Sequence, residues 1–296
     1  MNNLDTIKKI YKPYKYTYKG KSVILETTSG NFVLKECNKN INELYNYLKS
    51  RSFDNFPKLV ESNIGNLNIF EYIEEINNPK EQKAQDLMKL VANLHNKTTY
   101  YKDVTEDNYK ILYEDILNNI NYYKSYYETK YDEFYQEIMP SPSHYLFLKN
   151  YYKIKSNLDF CQSELDNWYD MVKNTTRAKV SLIHNNLSMD HFIKGDRDYL
   201  ISWDKSRVDS PILDLVNLYH SEYFDLNFKP LLDIYINNYH LSDSELKIFF
   251  VMISMPLEII FSNDEEITCQ NIRNTLDYIY KTEELIRPYY TKDKKE

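Results

Sequence analysis

The stretch from Ser181 to Tyr219 constrains this chain more than any other. It begins with a short apolar run, Val180 to Ile183, that reads as a buried strand. His184 ends the run, and a polar loop follows. A turn at Lys194 to Arg197 contains one of only four glycines in the chain. Tyr199 to Trp203 then reads as a second short strand, and Pro211 precedes an apolar-periodic helix from Ile212. The order is strand, polar loop, strand, polar loop, helix.

That order is how kinase-like phosphotransferases build a catalytic centre, and the segment resembles the aminoglycoside and choline kinase superfamily. Within it, Trp203-Asp204-Lys205 through Asp209-Ser210-Pro211 to Asp214-Leu215 looks most like the CotS-type spore coat proteins. The resemblance implies an α+β class with a two-lobed, protein-kinase-like (aminoglycoside phosphotransferase-like) fold. A small antiparallel β lobe, residues 1–75, would precede a large helical lobe, residues 76–296, that carries the catalytic loop.

The resemblance also implies what should stand in that loop. Active members read His-Gly-Asp, then four residues, then Asn, and their second strand ends in a metal-binding Asp. Here the first motif is His184-Asn185-Asn186, with His191 at the position of the metal Asn and Ser202 at that of the metal Asp. Asn186 is no carboxylate base. His191 is a poor ligand for a hard cation, and Ser202 is uncharged. The positions that look structural are kept: His184, and Asp214 where the family places a buried Asp that braces the loop backbone.

Lys35 ends an expected strand in the context Phe-Val-Leu-Lys, and resembles the strand-three lysine that contacts nucleotide phosphates. Its expected partner is Glu43 on the helix Asn42 to Ser50. Taken alone, a lysine at a strand end is a solvated edge residue. The phosphate-covering loop, Tyr18-Lys19-Gly20-Lys21-Ser22, has a single glycine, whereas kinases use several there so that N–H groups approach phosphate. It reads as a charged hairpin tip and is no evidence for ATP.

The remaining elements are set by period and punctuation. Tyr14 to Tyr18, Ser22 to Thr27 and Phe32 to Glu36 form a β-meander. Phe56 to Val60 and Asn68 to Ile73 add two strands around a turn at Asn63 to Asn66, and a short amphipathic helix occupies residues 1 to 12. Lys83 to Lys97 is an amphipathic helix with Leu87, Leu90, Val91 and Leu94 inward, and His95 on it is a packed or capping residue. Residues 107–139 and 144–174 are long helices separated at Met139-Pro140-Ser141-Pro142-Ser143, with Ile111, Ile116, Ile120, Tyr123, Tyr127 and Phe134 marking a broken apolar stripe on the first. Leu146, Tyr152, Leu158, Leu165 and Trp168 are the expected core contacts of the second. Phe224 to Asn238, Ser242 to Ser254 and Asp264 to Pro288 complete the helices, with a capping box at Ser242 and Glu245.

Composition bounds the partners. The formal net charge of −7 argues against a general nucleic-acid binder, and the longest apolar run, Ile248 to Ile253, is far too short to span a bilayer. The start of the chain lacks the apolar region of a signal peptide, so synthesis in the cytoplasm is expected. Cys37, Cys161 and Cys269 are far apart and read as reduced thiols.

Three functions remain open. The leading one is a catalytically degenerate, pseudokinase-type protein that serves as a spore coat or coat-assembly component. By the resemblance, it is made in the mother cell and joins other spore coat proteins, with no cofactor. The second is an active phosphotransferase using ATP and Mg²⁺ with rearranged ligands. Asp204 is then the possible metal ligand, because residues two apart on a strand share a face. Asp190, beside His191, would need the loop rebuilt. The third is a module that holds a nucleotide through Lys35 without turnover.

Overall fold

A computed structural model of the chain describes residues 10–20, 22–36, 40–64 and 67–291. All but the end of the helix expected over residues 1 to 12 lies outside the described residues. So do Lys21, Cys37, the second half of the turn at 63–66 and nearly all of the C-terminal tail.

Five antiparallel strands form one sheet in the order β1-β2-β3-β5-β4: β1 (Lys15–Lys19), β2 (Ser22–Thr27), β3 (Gly30–Glu36), β4 (Leu59–Ile64) and β5 (Leu67–Glu71). The expected meander and the two further strands are therefore joined as one sheet. Register sorts the side chains by face. Val23 opposes Leu34, which opposes Ile69, and Leu25 opposes Phe32. Leu25, Leu34 and Ile69 are fully buried, with Tyr11, Val23, Phe32 and Leu67 packed against them. Lys35 comes directly after Leu34, so strand alternation puts it on the opposite face.

Helix α1 (Ile41–Ser50) opens at Asn40, whose side chain accepts the Glu43 N–H. Its buried residues are Ile41, Leu44, Tyr45 and Leu48, the spacing of one helical face. Tyr45 stacks on Phe56 with ring centroids 3.9 Å apart. Helix α2 (Lys80–Thr98) buries Leu87, Leu90, Val91 and Leu94, as their spacing predicts.

The chain divides into two compact units, and the division differs from a single cut at residue 75. One unit holds the chain up to Thr99 together with Ser181–Asp214 and Asn237–Tyr239. The polar link at 74–79 does not separate the sheet from the rest of this unit, because the Ile76 N–H bonds to the Lys194 carbonyl at 2.7 Å. The segment leaving α1 is tied down as well: the Leu200 N–H bonds to the Asn55 carbonyl at 2.9 Å and the Asn55 amide to the Asp198 carbonyl at 2.9 Å.

The second unit holds Tyr100–Val180, Leu215–Ile236 and the chain from His240. It contains β6 (Tyr100–Asp103), which sequence periodicity did not reveal, paired with the first residues of β7 (Arg177–Ile183). Two long helices, α3 (Glu106–Tyr135) and α4 (Pro142–Val172), are joined where Pro140 and Pro142 predict a break. Of the expected stripe on α3, Ile120, Tyr127 and Phe134 are buried, Ile116 and Tyr123 are half-buried, and Ile111 is exposed. On α4 the inward residues are Phe147, Ile154, Leu158, Cys161, Leu165 and Trp168. Tyr152 is 80% exposed and is not a core contact, because it lies off the face that Ile154 and Leu158 define.

Candidate functional site

The site is built where β7 ends. Ile183 is its last residue, and the next two N–H groups turn onto a single carboxylate. The His184 N–H donates to Asp214 Oδ2 at 2.8 Å, and the Asn185 N–H to Oδ1 at 2.7 Å. Asp214 is fully buried in the first turn of α5 (Ile212–Glu222). His95 Nε2, on α2, donates to the same Oδ2 at 3.2 Å. Burial pushes the Asp214 carboxyl up, but the His95 bond, the nearby imidazoles and the loop N–H outweigh it and hold it below the usual carboxylate range. The brace expected at Asp214 is therefore present. His95 packs as expected, and its bond to Asp214, 119 residues away in sequence, is an addition that the sequence does not announce.

His184 ties this loop to the next strand. Its Nε2–H donates to the Ile201 carbonyl at 2.7 Å, which fixes the tautomer because a carbonyl only accepts. Its ring meets Trp203 edge-on at 5.1 Å. Full burial pushes the His184 pKa down against the attraction of Asp214, so the ring is neutral. Asn185 has φ of +56°, a left-handed conformation that asparagine tolerates better than most residues.

After a short 3₁₀ turn, Met189–His191, the chain makes a hairpin from β8 (Phe192–Lys194) and β9 (Asp198–Leu200) around the expected turn. The expected strand Tyr199 to Trp203 is shorter than its apolar pattern suggests. Ser202 is left-handed, at φ +66° and ψ +51°, and Trp203–Lys205 is a 3₁₀ turn. Ser202 and Asp204 therefore do not share a strand face, and the alternation argument for Asp204 fails. β10 (Arg207–Asp209) then pairs with the last residues of β7.

Asp204 nevertheless reaches the sheet, where it forms an ion pair with Lys35. The expected partner, Glu43, is exposed on α1, because Ile41, Leu44, Tyr45 and Leu48 claim its inner face. Among the described residues, the strand-three lysine is matched by the carboxylate after Trp203 and not by one on the helix. Lys35 is 17% exposed and Asp204 36%.

Asn186, His191 and Ser202 are each half-buried. His191 folds back on its own loop: Nδ1–H donates to the Asn186 carbonyl at 2.7 Å and lies 3.2 Å from the Ser188 hydroxyl. That closes the loop and takes up one ring nitrogen. The Asn186 side-chain oxygen faces Lys205 Nζ at 3.4 Å, a residue that motif comparison passes over. The turn Trp203–Lys205 thus sends one side chain to Lys35 and the next to Asn186.

A divalent cation of the magnesium type needs several hard oxygen ligands, usually one or two carboxylates with phosphates. Among the described residues, no group of three or more His, Cys, Asp or Glu side chains converges in a way that could hold a metal. Asn186, His191 and Ser202 bring no carboxylate to the centre. Of the three positions where the resemblance expects the base and the metal ligands, none supplies a carboxylate, and the nearest one in the turn, Asp204, is paired with Lys35.

A five-stranded sheet bearing Lys35, a loop braced on a buried Asp, and a helix-rich remainder define the aminoglycoside phosphotransferase-like fold. The structure is similar to an aminoglycoside phosphotransferase from Alicyclobacillus acidocaldarius, with a TM-score of 0.69 and 9% identity over 95% of this chain and 92% of that one. It is also similar to a glucosamine kinase, with a TM-score of 0.55 and 10% identity over 94% and 78% of the two chains. A spectinomycin phosphotransferase in complex with AMP matches with a TM-score of 0.53 and 11% identity over 94% and 93%. No protein-family profile matches the sequence, and no curated protein matches it.

Proposed function

We propose that this is a kinase-fold protein that has lost phosphoryl transfer and works by binding. The observation that carries the reading is the chemistry of the centre: an amide at Asn186, a self-bonded imidazole at His191 and a hydroxyl at Ser202. Phosphoryl transfer needs a positioned base and metal ions that neutralise the transferring group. Here neither group is supplied by the expected residues. The CotS-type resemblance of Trp203 to Leu215 directs the reading further, to a spore coat or coat-assembly component. Its partners are then other coat proteins, and it passes from the mother cell into the coat.

The test is ATP turnover by the purified protein across a panel of hydroxyl acceptors with Mg²⁺. No turnover approaching about 1 per second, the lower end for kinases, is expected. Turnover at that rate, lost in Lys35→Ala, overturns the proposal. For the coat role, the protein is expected in the coat fraction of purified spores, and its absence there removes that part of the reading.

One observation favours a second reading. Asp204 brings a carboxylate to Lys35. In an active phosphotransferase acting on a small hydroxyl acceptor, as the names of the similar structures suggest, Asp204 would take the metal in place of Ser202. Mg²⁺-dependent turnover abolished by Asp204→Asn is the outcome that selects it.

A further inference from the structure

We infer that a pocket beside the β8–β9 hairpin docks a basic, arginine-bearing segment of a partner protein. The inference rests on the reading above that this protein works by binding, and it names the chemistry of a partner.

The pocket has a volume of about 820 Å³, within the usual range of ligand sites. Its walls are the chain leaving β5 from Glu71 to Ile76, Asp54 and Lys58 ahead of β4, and the hairpin from Asp196 to Tyr199. All of them belong to one compact unit. The pocket is separate from the centre described above. Glu71 pairs with Phe32, on the buried face of the sheet, and strand alternation puts Lys35 on the other face. Neither Lys35 nor Asn186, His191, Ser202 or Asp204 lines it.

The walls are held together before any partner arrives. The Ile76 N–H bonds to the Lys194 carbonyl at 2.7 Å. The hairpin turn meets the link at Gly195, where a Cβ would stand 2.8 Å from Ile73 Cγ2 and 3.3 Å from the Glu74 carbonyl. A partner therefore meets an ordered surface, which lowers the entropy cost of binding.

The lining is part apolar and part acidic. Tyr72 is 39% exposed and Ile76 53%, so a ring and an aliphatic chain face water there. Asp54, Glu71, Glu74 and Asp196 bring carboxylates, against the cations of Lys58 and Arg197. Bonds within the pocket leave most of that charge in place. Glu71 accepts the Lys58 N–H at 2.8 Å, and Asp196 accepts the Tyr199 hydroxyl at 2.7 Å. Both donors are neutral. The Tyr199 bond holds the Asp196 carboxyl below the usual carboxylate range.

Arg197 shows which cation suits such a lining. Its guanidinium bonds to Asp54 at 2.7 Å and lies over the Tyr199 ring, 5.0 Å from the centroid. Asp54 and Arg197 neutralise one another, and Glu71, Glu74 and Asp196 remain against Lys58. Tyr72 and Glu74 bring the same two groups, a ring and a carboxylate, to the link. A guanidinium is planar and weakly hydrated, stacks on a ring and forks onto a carboxylate, so arginine fits better than lysine.

The experiment is fluorescence anisotropy of a labelled, end-capped tetra-arginine peptide with the full chain at low salt, followed by competition. Saturable binding is expected, with tetralysine several-fold weaker and tetraglutamate without effect. Tyr72→Ala and Glu74→Gln should each weaken binding about two- to fivefold, the scale of one exposed cation–π or ion-pair contact. Gly195→Ala should weaken it too, because the added methyl pushes the link off the hairpin. Asp170→Asn removes an exposed charge from the other compact unit and should leave the affinity unchanged. Unchanged melting temperatures show that the Tyr72 and Glu74 variants fold.

No binding overturns the inference. So does an affinity indifferent to Tyr72→Ala and Glu74→Gln, which is attraction to an acidic surface at large. Tetralysine that binds as well as tetra-arginine overturns it as well. Spermidine that displaces the peptide at equal concentration makes the ligand a small polyamine, and displacement by ATP puts the peptide in the kinase-like centre; each overturns the pocket assignment. Failure here is distinguishable from failure of the non-catalytic reading, which ATP turnover alone decides. Absence of peptide binding with absence of turnover removes only the docking pocket, and turnover with intact peptide binding removes only the loss of catalysis.

Discussion

Asp214 concentrates the order of one loop and a neighbouring helix on one carboxylate. It accepts from the His184 and Asn185 N–H groups and from His95, with no exposure to water. Asp214→Ala leaves these donors unmatched, and each such loss costs about 1–3 kcal/mol, so a total of at least about 3 kcal/mol is expected in denaturant melts. An unchanged midpoint would refute the brace. Acid tests its neighbour. The His184 pKa is lowered in the folded protein, so the unfolded chain binds the proton more readily, and stability rises with pH. Its contribution is complete above the unfolded value of about 6.5 and is lost as pH falls from there, at up to about 1.4 kcal/mol per pH unit. Asp214, also lowered, loses its contribution only at lower pH, below the unfolded carboxylate value of about 3.9. Melting temperatures should therefore fall between neutral pH and pH ~5. His184→Gln, which cannot titrate, should fall less steeply. Asp214 was legible because a family pattern marks its position. Lys205 was not, because a lysine beside a motif carries no signal until the fold sets it 3.4 Å from the Asn186 oxygen.

At the scale of elements, local signals succeeded where sequence neighbours decide the outcome. The Ser242 and Glu245 side chains form the capping box at the start of the helix Asp243–Ser254, and Pro142 opens α4 from its first turn. The signals failed where distant packing decides. Tyr199 to Trp203 has the composition of a strand, yet the strand stops at Leu200 because Ser202 turns left-handed. β6 is exposed along its length and shows no alternation to read; its partner is some 75 residues further on. The Lys35 and Glu43 pairing failed for the same reason, since the choice between two carboxylates depends on which helix face is buried. Ser202 offers a direct test. A left-handed L-residue costs about 1–2 kcal/mol, and glycine removes that at the expense of about 0.5–1 kcal/mol of unfolded-chain entropy. Ser202→Gly should then raise stability by about 0.5–1 kcal/mol, while Ser202→Val should lower it. A stabilised valine variant would show that the turn does not hold this conformation in solution.

Across the whole molecule, the packing that builds the fold lies away from the three positions where the resemblance expects catalytic groups. The sheet core of Leu25, Leu34 and Ile69, the α1 and α2 packing and the Asp214 brace involve none of Asn186, His191 or Ser202. Restoring those three positions should therefore be structurally tolerable yet catalytically insufficient. In the triple variant Asn186→Asp, His191→Asn and Ser202→Asp, the new carboxylate at 186 would face Lys205 and pair with it before it could accept a substrate proton. Lys35 would remain engaged by Asp204. The loop that the resemblance places over the phosphates would still have only Gly20, which at φ +57° serves the hairpin turn. Effects of groups that act together are not additive, so repairing three of five parts recovers little. The variant should gain Mg²⁺ binding in calorimetry, since two carboxylates are added, while ATP turnover stays orders of magnitude below about 1 per second. Turnover at that rate would show that the remaining architecture is competent, and that those three side chains alone decide whether the centre transfers phosphate.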